Sequence, residues 1–324
     1  MVHLRRCLSI AFAAIALAVA PATSQSQGTL TTIHIGVLGY NDGTSLPVYA
    51  QGAGFFKKYG LDAQVSSFNS GGAIVAAVAG GALDFGFGNV ISVTAAIERG
   101  IPIIALTPAA TFDQREQGDV VLVKVRGSKL KTGADLAGKT VAVTTLSGTL
   151  QLAASAWIDQ NGGDSKGVHF IELPNSEMVA ALQQGRIDAA MLGEPVMSQR
   201  KADVEVLANA FAAIAPRWSE GVYLSSKTWV SANPDAAHRF VQAMVEAARW
   251  ANTHHTESAN MLAPLVHIDP TVFMAMTRAT QGDTLTTQLL QPPIDAAFKY
   301  GQLKTPFDAK QLVSEAQPYW HGVR

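Results

Sequence analysis

Two short segments, Ser70-Gly71-Gly72 and Ser147-Gly148-Thr149, carry the clearest chemistry in this 324-residue chain. Each stands where an apolar-periodic helix is about to begin. Each therefore offers free backbone N–H groups, a hydroxyl and the positive end of a helix dipole, with little steric cover. Such groups suit a ligand atom that accepts hydrogen bonds or carries negative charge. Ordinary helix capping uses the same residues, so the argument rests on where the two segments stand.

Other candidate chemistries fail on context. Gly133-Ala-Asp-Leu-Ala-Gly138-Lys139-Thr140 fits the G-x-x-x-x-G-K-T phosphate loop. That loop works between a strand and a helix, whereas Lys139-Thr140 lead into the apolar strand Val141–Val143. His254-His255 is the densest histidine pair, but adjacent helical residues point to different faces and do not converge on one ion. No H-E-x-x-H, calcium loop or G-x-S-x-G elbow occurs. No cofactor or metal is expected.

The elements that position the glycine-bearing segments alternate strand and helix. The pattern predicts strands over Ile33–Leu38, Ala63–Phe68, Asp84–Phe87 and Ile103–Leu106. It predicts helices over Ser45–Tyr59, from Ser70 to about Ala79, and over Val90–Arg99. Alternation of this kind implies a mostly parallel sheet covered by helices. The pattern then recurs. At an offset of 104 residues, Val75, Ala76, Ala77, Gly81 and Asp84 meet Val179, Ala180, Ala181, Gly185 and Asp188. Strand Val141–Val143, helix Thr149–Gln160 and strand Val168–Leu173 answer the earlier elements at nearly the same spacing. Two equivalent βαβαβ lobes follow, with the chain crossing between them near 108–118 and 209–222. From Asn233 onward the pattern is largely helical, with helices starting at Pro234 and Pro270 and prolines 292, 293 and 306 as punctuation. This tail is expected to pack on the first lobe. The expected division is 33–112 with 222–324 as lobe 1, and 113–221 as lobe 2.

Composition narrows the class. With 48% hydrophobic and 15% charged residues the chain can bury a large core, and a net charge of −1 supplies no basic field for nucleic acid. His3, Arg5 and Arg6 precede an apolar run, Leu8–Ala20, and Ala20 and Ala22 follow as small residues. These read as an export signal over 1–22 cleaved after Ala22, with a linker over 23–32. The run is too short to cross a hydrocarbon core of about 30 Å. The single cysteine, Cys7, lies within that segment, so the mature chain would hold no thiol chemistry. A periplasmic monomer is expected.

Three stretches carry a family resemblance: Gly54-Phe-Phe-Lys-Lys-Tyr-Gly-Leu-Asp62, Asn69-Ser-Gly-Gly72, and Gly81-Ala-Leu-Asp-Phe-Gly-Phe-Gly-Asn89. With Asp135–Val143, Gln184–Ala190 and Gly193-Glu-Pro195, the chain resembles the substrate-binding proteins of nitrate/sulfonate/taurine-type ABC importers. These share a superfamily with binding proteins for thiamine-pyrimidine precursors. The resemblance implies an α/β type II periplasmic binding fold, with a two-crossing hinge and a partner permease. It implies ligand contacts from Tyr40, Asn41, Ser70, Gly71, Asn89, Thr111, Ser147, Gly148, Thr149, Asn175, Glu194 and Tyr223. The helix ends favour a small organic anion, a sulfonate or carboxylate. No compelling Arg or Lys stands at these loops, and Glu194 is expected either to orient a neighbour or to accept a hydrogen bond from an amine on the ligand, as on an aminopyrimidine. An enzyme of cofactor biosynthesis and a receptor-linked sensor are the other roles this superfamily implies.

Overall fold

The computed structural model describes residues 29–116 and 118–323. The expected export signal lies outside the described residues. Among the described residues twelve strands form three sheets. β1 (Thr31–Leu38), β2 (Leu61–Phe68), β3 (Phe85–Asn89) and β4 (Ile103–Pro108) alternate with helices, as apolar runs bounded by glycine turns dictate. After β5 (Thr111–Asp113) the chain enters a second unit of β6 (Val120–Val125), β7 (Thr140–Val143), β8 (His169–Glu172), β9 (Ala189–Gly193) and β10 (Val204–Ala208). It returns through β11 (Arg217–Ser219) into β12 (Gly221–Ser226).

The first sheet has the order β2-β1-β3-β12-β4 and the second β10-β6-β9-β7-β8. Neither is wholly parallel. β12 runs antiparallel to β3 and β4, and β6 runs antiparallel to β9 and β10. The reason is topological. Each lobe receives one strand directly from a crossing instead of through a helix, and a direct entry reverses the strand's direction. β5 and β11 pair with each other, Phe112 opposite Trp218, as a two-stranded ribbon between the lobes.

The internal repeat has the same structure in both halves. Helix Gly71–Ala79 and strand β3 correspond to helix Asn175–Gln183 and strand β9 at the same offset. Asp84 accepts a hydrogen bond from His34 N (2.7 Å) and donates its own N–H to His34 O (3.0 Å). Asp188 does the same with Thr140, at 2.9 Å and 2.9 Å. A carboxylate at each position satisfies a strand amide that the sheet ladder leaves free. The phosphate-loop lookalike is explained here too: Lys139 is ion-paired to Asp188 (3.2 Å) and Thr140 opens β7.

Helix Gly71–Ala79 lies directly on the first sheet. A Cβ on Gly86 would stand 2.3 Å from Ile74 Cγ2, so only glycine permits that approach. The helix expected over Ser45–Tyr59 is two, Leu46–Gly52 and Phe55–Lys58, because Gly54 takes a left-handed φ of 81° between them. Pro292 and Pro293 lie inside helix Thr287–Lys299 instead of ending it. That helix buries Leu289, Leu290, Pro293, Ile294 and Ala297, and the apolar face outweighs the lost backbone bonds.

The C-terminal helices pack mainly on the first lobe. Helix Pro234–Ala251 stacks Phe240 on Phe85, ring centroids 3.8 Å apart. A buried ion pair fixes the rest of the tail. Arg278 reaches both oxygens of Asp42, Nε to Oδ2 at 2.9 Å and Nη2 to Oδ1 at 2.8 Å. Ala279 N–H (2.7 Å) and the Tyr49 hydroxyl complete the carboxylate's shell. Breaking such a pair strands a charge in the interior at a cost of about 3–5 kcal/mol. Arg278→Met should therefore lower the melting temperature by roughly 10 °C. The double variant Asp42→Asn/Arg278→Met should recover most of that loss, which paired thermal melts will measure.

Candidate functional site

A cavity of about 500 Å³ lies between the lobes, the size of a small-molecule site. Its walls come from the loops beyond the carboxyl ends of the strands, where open α/β sheets place ligands. Lobe 1 supplies the turn after β1, the loop after β2 and Asn89 at the end of β3. Lobe 2 supplies Thr144 and Thr145, Gly148 to Leu150, Pro174 to Ser176 and Gly193 to Val196. A third wall comes from the tail, residues Leu265 to Ile268, which the sequence reading assigned no part in the cleft.

The lobes approach closely at the cavity's edge. A Cβ on Gly148 would lie 3.2 Å from Asn89 Nδ2, and one on Gly71 would lie 3.9 Å from Thr145 Oγ1. The tail crosses the same gap, Thr277 N–H donating to Glu194 Oε1 at 3.4 Å.

The expected contact residues divide into two groups. Tyr40, Asn41, Asn89, Gly148, Thr149, Asn175 and Glu194 line the cavity. Most of their polar groups have internal duties. Asn41 accepts from Thr44 N and donates to Leu38 O, shaping the turn after β1. Asn89 caps helix Val90–Glu98 through Ser92 N (2.9 Å). Asn175 bonds both the N–H and the carbonyl of Gly193, each at 3.1 Å. Glu194 accepts from Ser198 N (2.9 Å) and Ser198 Oγ (2.8 Å).

Ser70, Gly71, Thr111, Ser147 and Tyr223 do not line the cavity. Ser70 precedes helix Gly71–Ala79 and makes no capping bond through its side chain. Gly71 is buried at the start of that helix and faces Thr145. Thr111 is buried in the ribbon between lobes. Ser147 takes a left-handed φ of 52°, and its amide donates to Gln151 Oε1. Tyr223 lies fully within the core and donates to Thr44 O at 2.9 Å. Alternation along β12 is the physical reason for the last: the strand end nearest the cleft offers Glu220 to it, not Tyr223.

Acidic residues that sequence reasoning missed dominate the floor. Asp119 precedes β6 and Glu220 precedes β12, so each crossing between lobes delivers one carboxylate to the cavity. Asp119 is 8% exposed and has no ion-pair partner among the described residues. Burial first, then the nearby charge of Asp42, pushes its carboxyl up to about 7. Burial and Asp119 raise Glu220 well above the carboxylate range. Burial also raises Glu194, against the opposing hydrogen bonds from Ser198 and Thr277. No lysine or arginine stands among the described residues lining the cavity. The only available signal was local: Asp119 and Glu220 are lone acids set against the apolar runs VVLVKV and GVYL. Nothing in periodicity turns such residues toward a cleft.

A raised acid pKa means that the folded state holds protons the unfolded chain has released. Stability from Asp119 is then present below pH 4 and is lost as pH rises toward 7. Asp119→Asn should raise the melting temperature at pH 8 by at least ~3 °C. It should also flatten the decline between pH 4 and 7, as read from melts across that range.

A family model described as NMT1-like matches residues 26–267. A Brucella abortus protein named as a candidate binding protein is 25% identical over 317 residues, covering 92% of this chain and 95% of its own. Among solved structures, the periplasmic nitrate-binding protein NrtA from Synechocystis superposes with a TM-score of 0.75 at 17% identity. That match covers 91% of this chain and 88% of the other. The alkanesulfonate-binding protein SsuA from Xanthomonas axonopodis, bound to MOPS, gives a TM-score of 0.70 at 18% identity, with 87% and 97% covered. The two sheets, the paired crossings and the cleft thus form a periplasmic binding protein fold, and the chain belongs to the NMT1-like family.

Proposed function

We propose that this protein captures a small organic solute between its lobes in the periplasm and hands it to an ABC permease. The observation that carries this reading is the cavity of about 500 Å³ at the joint of two lobes connected by two crossings among the described residues. Such a joint lets the lobes part and close, and a solute that touches both lobes favours the closed arrangement. The permease then distinguishes loaded from empty protein by the population of that arrangement. The names of the Brucella, Synechocystis and Xanthomonas proteins support a binding role, and the latter two support small solutes.

The expectation of an organic anion, a sulfonate or carboxylate, rests on the helix ends at 70–72 and 147–149. Only Gly148 and Thr149 of those segments reach the cavity, which leaves that expectation with half its support. The aminopyrimidine alternative gains from the acidic floor. A catalytic role would require turnover of the captured compound without a transporter.

Closure can be tested at one position. A side chain on Gly148 meets Asn89 and the Thr145 carbonyl, each at 3.2 Å. Native mass spectrometry of the protein released from its own periplasm should show a small molecule that departs on denaturation. Gly148→Val should lose that molecule, or bind it at least ~10-fold more weakly, which is about 1.4 kcal/mol, with no fall in the melting temperature of the empty protein. A periplasmic protein that never carries a solute would sink the reading.

A further inference from the structure

The capture reading leaves the class of solute open, and the floor of the cleft bears on it. Asp119 and Glu220 are the acidic side chains there that no other side chain engages. Neither forms an ion pair among the described residues, and the Asp119 carboxylate meets only the backbone N–H groups of Asp119 and Val120. Asn41, Asn175 and Glu194 are occupied by their own loops. Asp119 is more than nine-tenths buried, yet it lines the cavity. Asp42, the acid whose charge acts most on Asp119, is already matched by Arg278. His267, from the tail, is the one imidazole on the wall among the described residues. Around this floor the walls are mainly apolar, with Phe68, Phe87, Leu150 and Met191 facing inward.

Charge decides what such a site accepts. An anion placed there gains the helix end at Gly148 but has to hold Asp119 and Glu220 in their protonated forms, because no Lys or Arg among the described residues on the wall offsets their charge. A cation supplies the missing counter-charge, draws both acids into the ionised form and donates hydrogen bonds to their oxygens. On the capture reading above, we propose that the solute is a small organic cation: an amine, amidine or guanidine on a compact apolar body, held between Asp119 and Glu220. Because these residues stand at the two crossings, one nitrogen group bridging them ties both hinge strands together. Binding and closure would then be the same event.

The cation also displaces protons. With Asp119 raised to about 7, and with Asp42, Glu194 and Glu220 as its acidic neighbours and Arg278 and His267 as the basic ones, a bound cation returns Asp119 to the ionised form. Calorimetry in buffers of different ionisation enthalpy reads that release.

The test is a thermal-shift panel on the mature protein at pH 7.5. It sets benzamidine, phenethylamine and agmatine beside matched carboxylates, sulfonates and neutral amides, with nitrate added. At least one cation should raise the melting temperature by more than ~2 °C where its matched anion and amide do not. That shift should vanish, and affinity fall at least ~10-fold (one decade, about 1.4 kcal/mol), in both Asp119→Asn and Glu220→Gln. Melts of the empty variants establish that each is folded. Stabilisation by an anion or amide above its cationic partner overturns the cation inference and leaves solute capture standing. No stabilisation by any compound in the panel overturns both.

Discussion

The bidentate pair between Arg278 and Asp42 governs more of this molecule than its two residues suggest. Asp42 sits in the turn directly beneath the cleft, and Arg278 belongs to a segment more than two hundred residues later. Their union decides where the tail runs after helix Pro234–Ala251, and so where the third wall of the cavity stands. The guanidinium also bonds the His255 carbonyl and the Ser258 hydroxyl, tying the first turn of helix His255–Leu262 to the same point. Gln281 then reaches the Asp42 carbonyl and Asn252 the Gln281 carbonyl, each at 2.9 Å. A buried ion pair is poor evidence of net stability, but it is demanding about geometry. Here it sets the register of a wall.

That pair also shapes the electrostatics of the floor. Asp42 is neutralised from one side only, and its charge still acts on Asp119. A compensated carboxylate from lobe 1 thus stands near an uncompensated one at the crossing into lobe 2. The cleft is acidic by construction, not by a general excess of acids, since the whole chain carries a net charge of only −1. The local balance at a joint and the balance of a chain are separate quantities.

The fold was legible in the sequence because duplication made it so. Helix Gly71–Ala79 and strand β3 recur at one spacing, and the hydrogen bonds of Asp84 and Asp188 explain why those acids recur as well. What escaped was whatever occurs once. β6 and β12 run against their sheets because they arrive by crossings, and no local pattern encodes direction. Pro292 and Pro293 read as breaks, yet burial of one helix face overrode them. For the site, loops at strand ends were identifiable, and Tyr40, Asn89 and Thr149 do line the cavity. Whether a given hydroxyl or amide faced the cavity or its own loop was not identifiable, because that depends on side-chain bonds as local as Ser147 with Gln151.

The tail wall at Leu265–Ile268 has a consequence for how such a protein acquires a new ligand. The two duplicated halves carry nearly all of the folding information, and each is constrained by its own sheet. The tail wall belongs to neither half. It is held by anchors on either side, the close of helix His255–Leu262 and the Asp42–Arg278 pair, with only a short span between them. Leu265 and His267, exposed on that span, can be exchanged without disturbing a strand register or a helix–sheet contact. Selectivity in this architecture can therefore drift on a replaceable panel while the two-part frame that does the closing stays fixed.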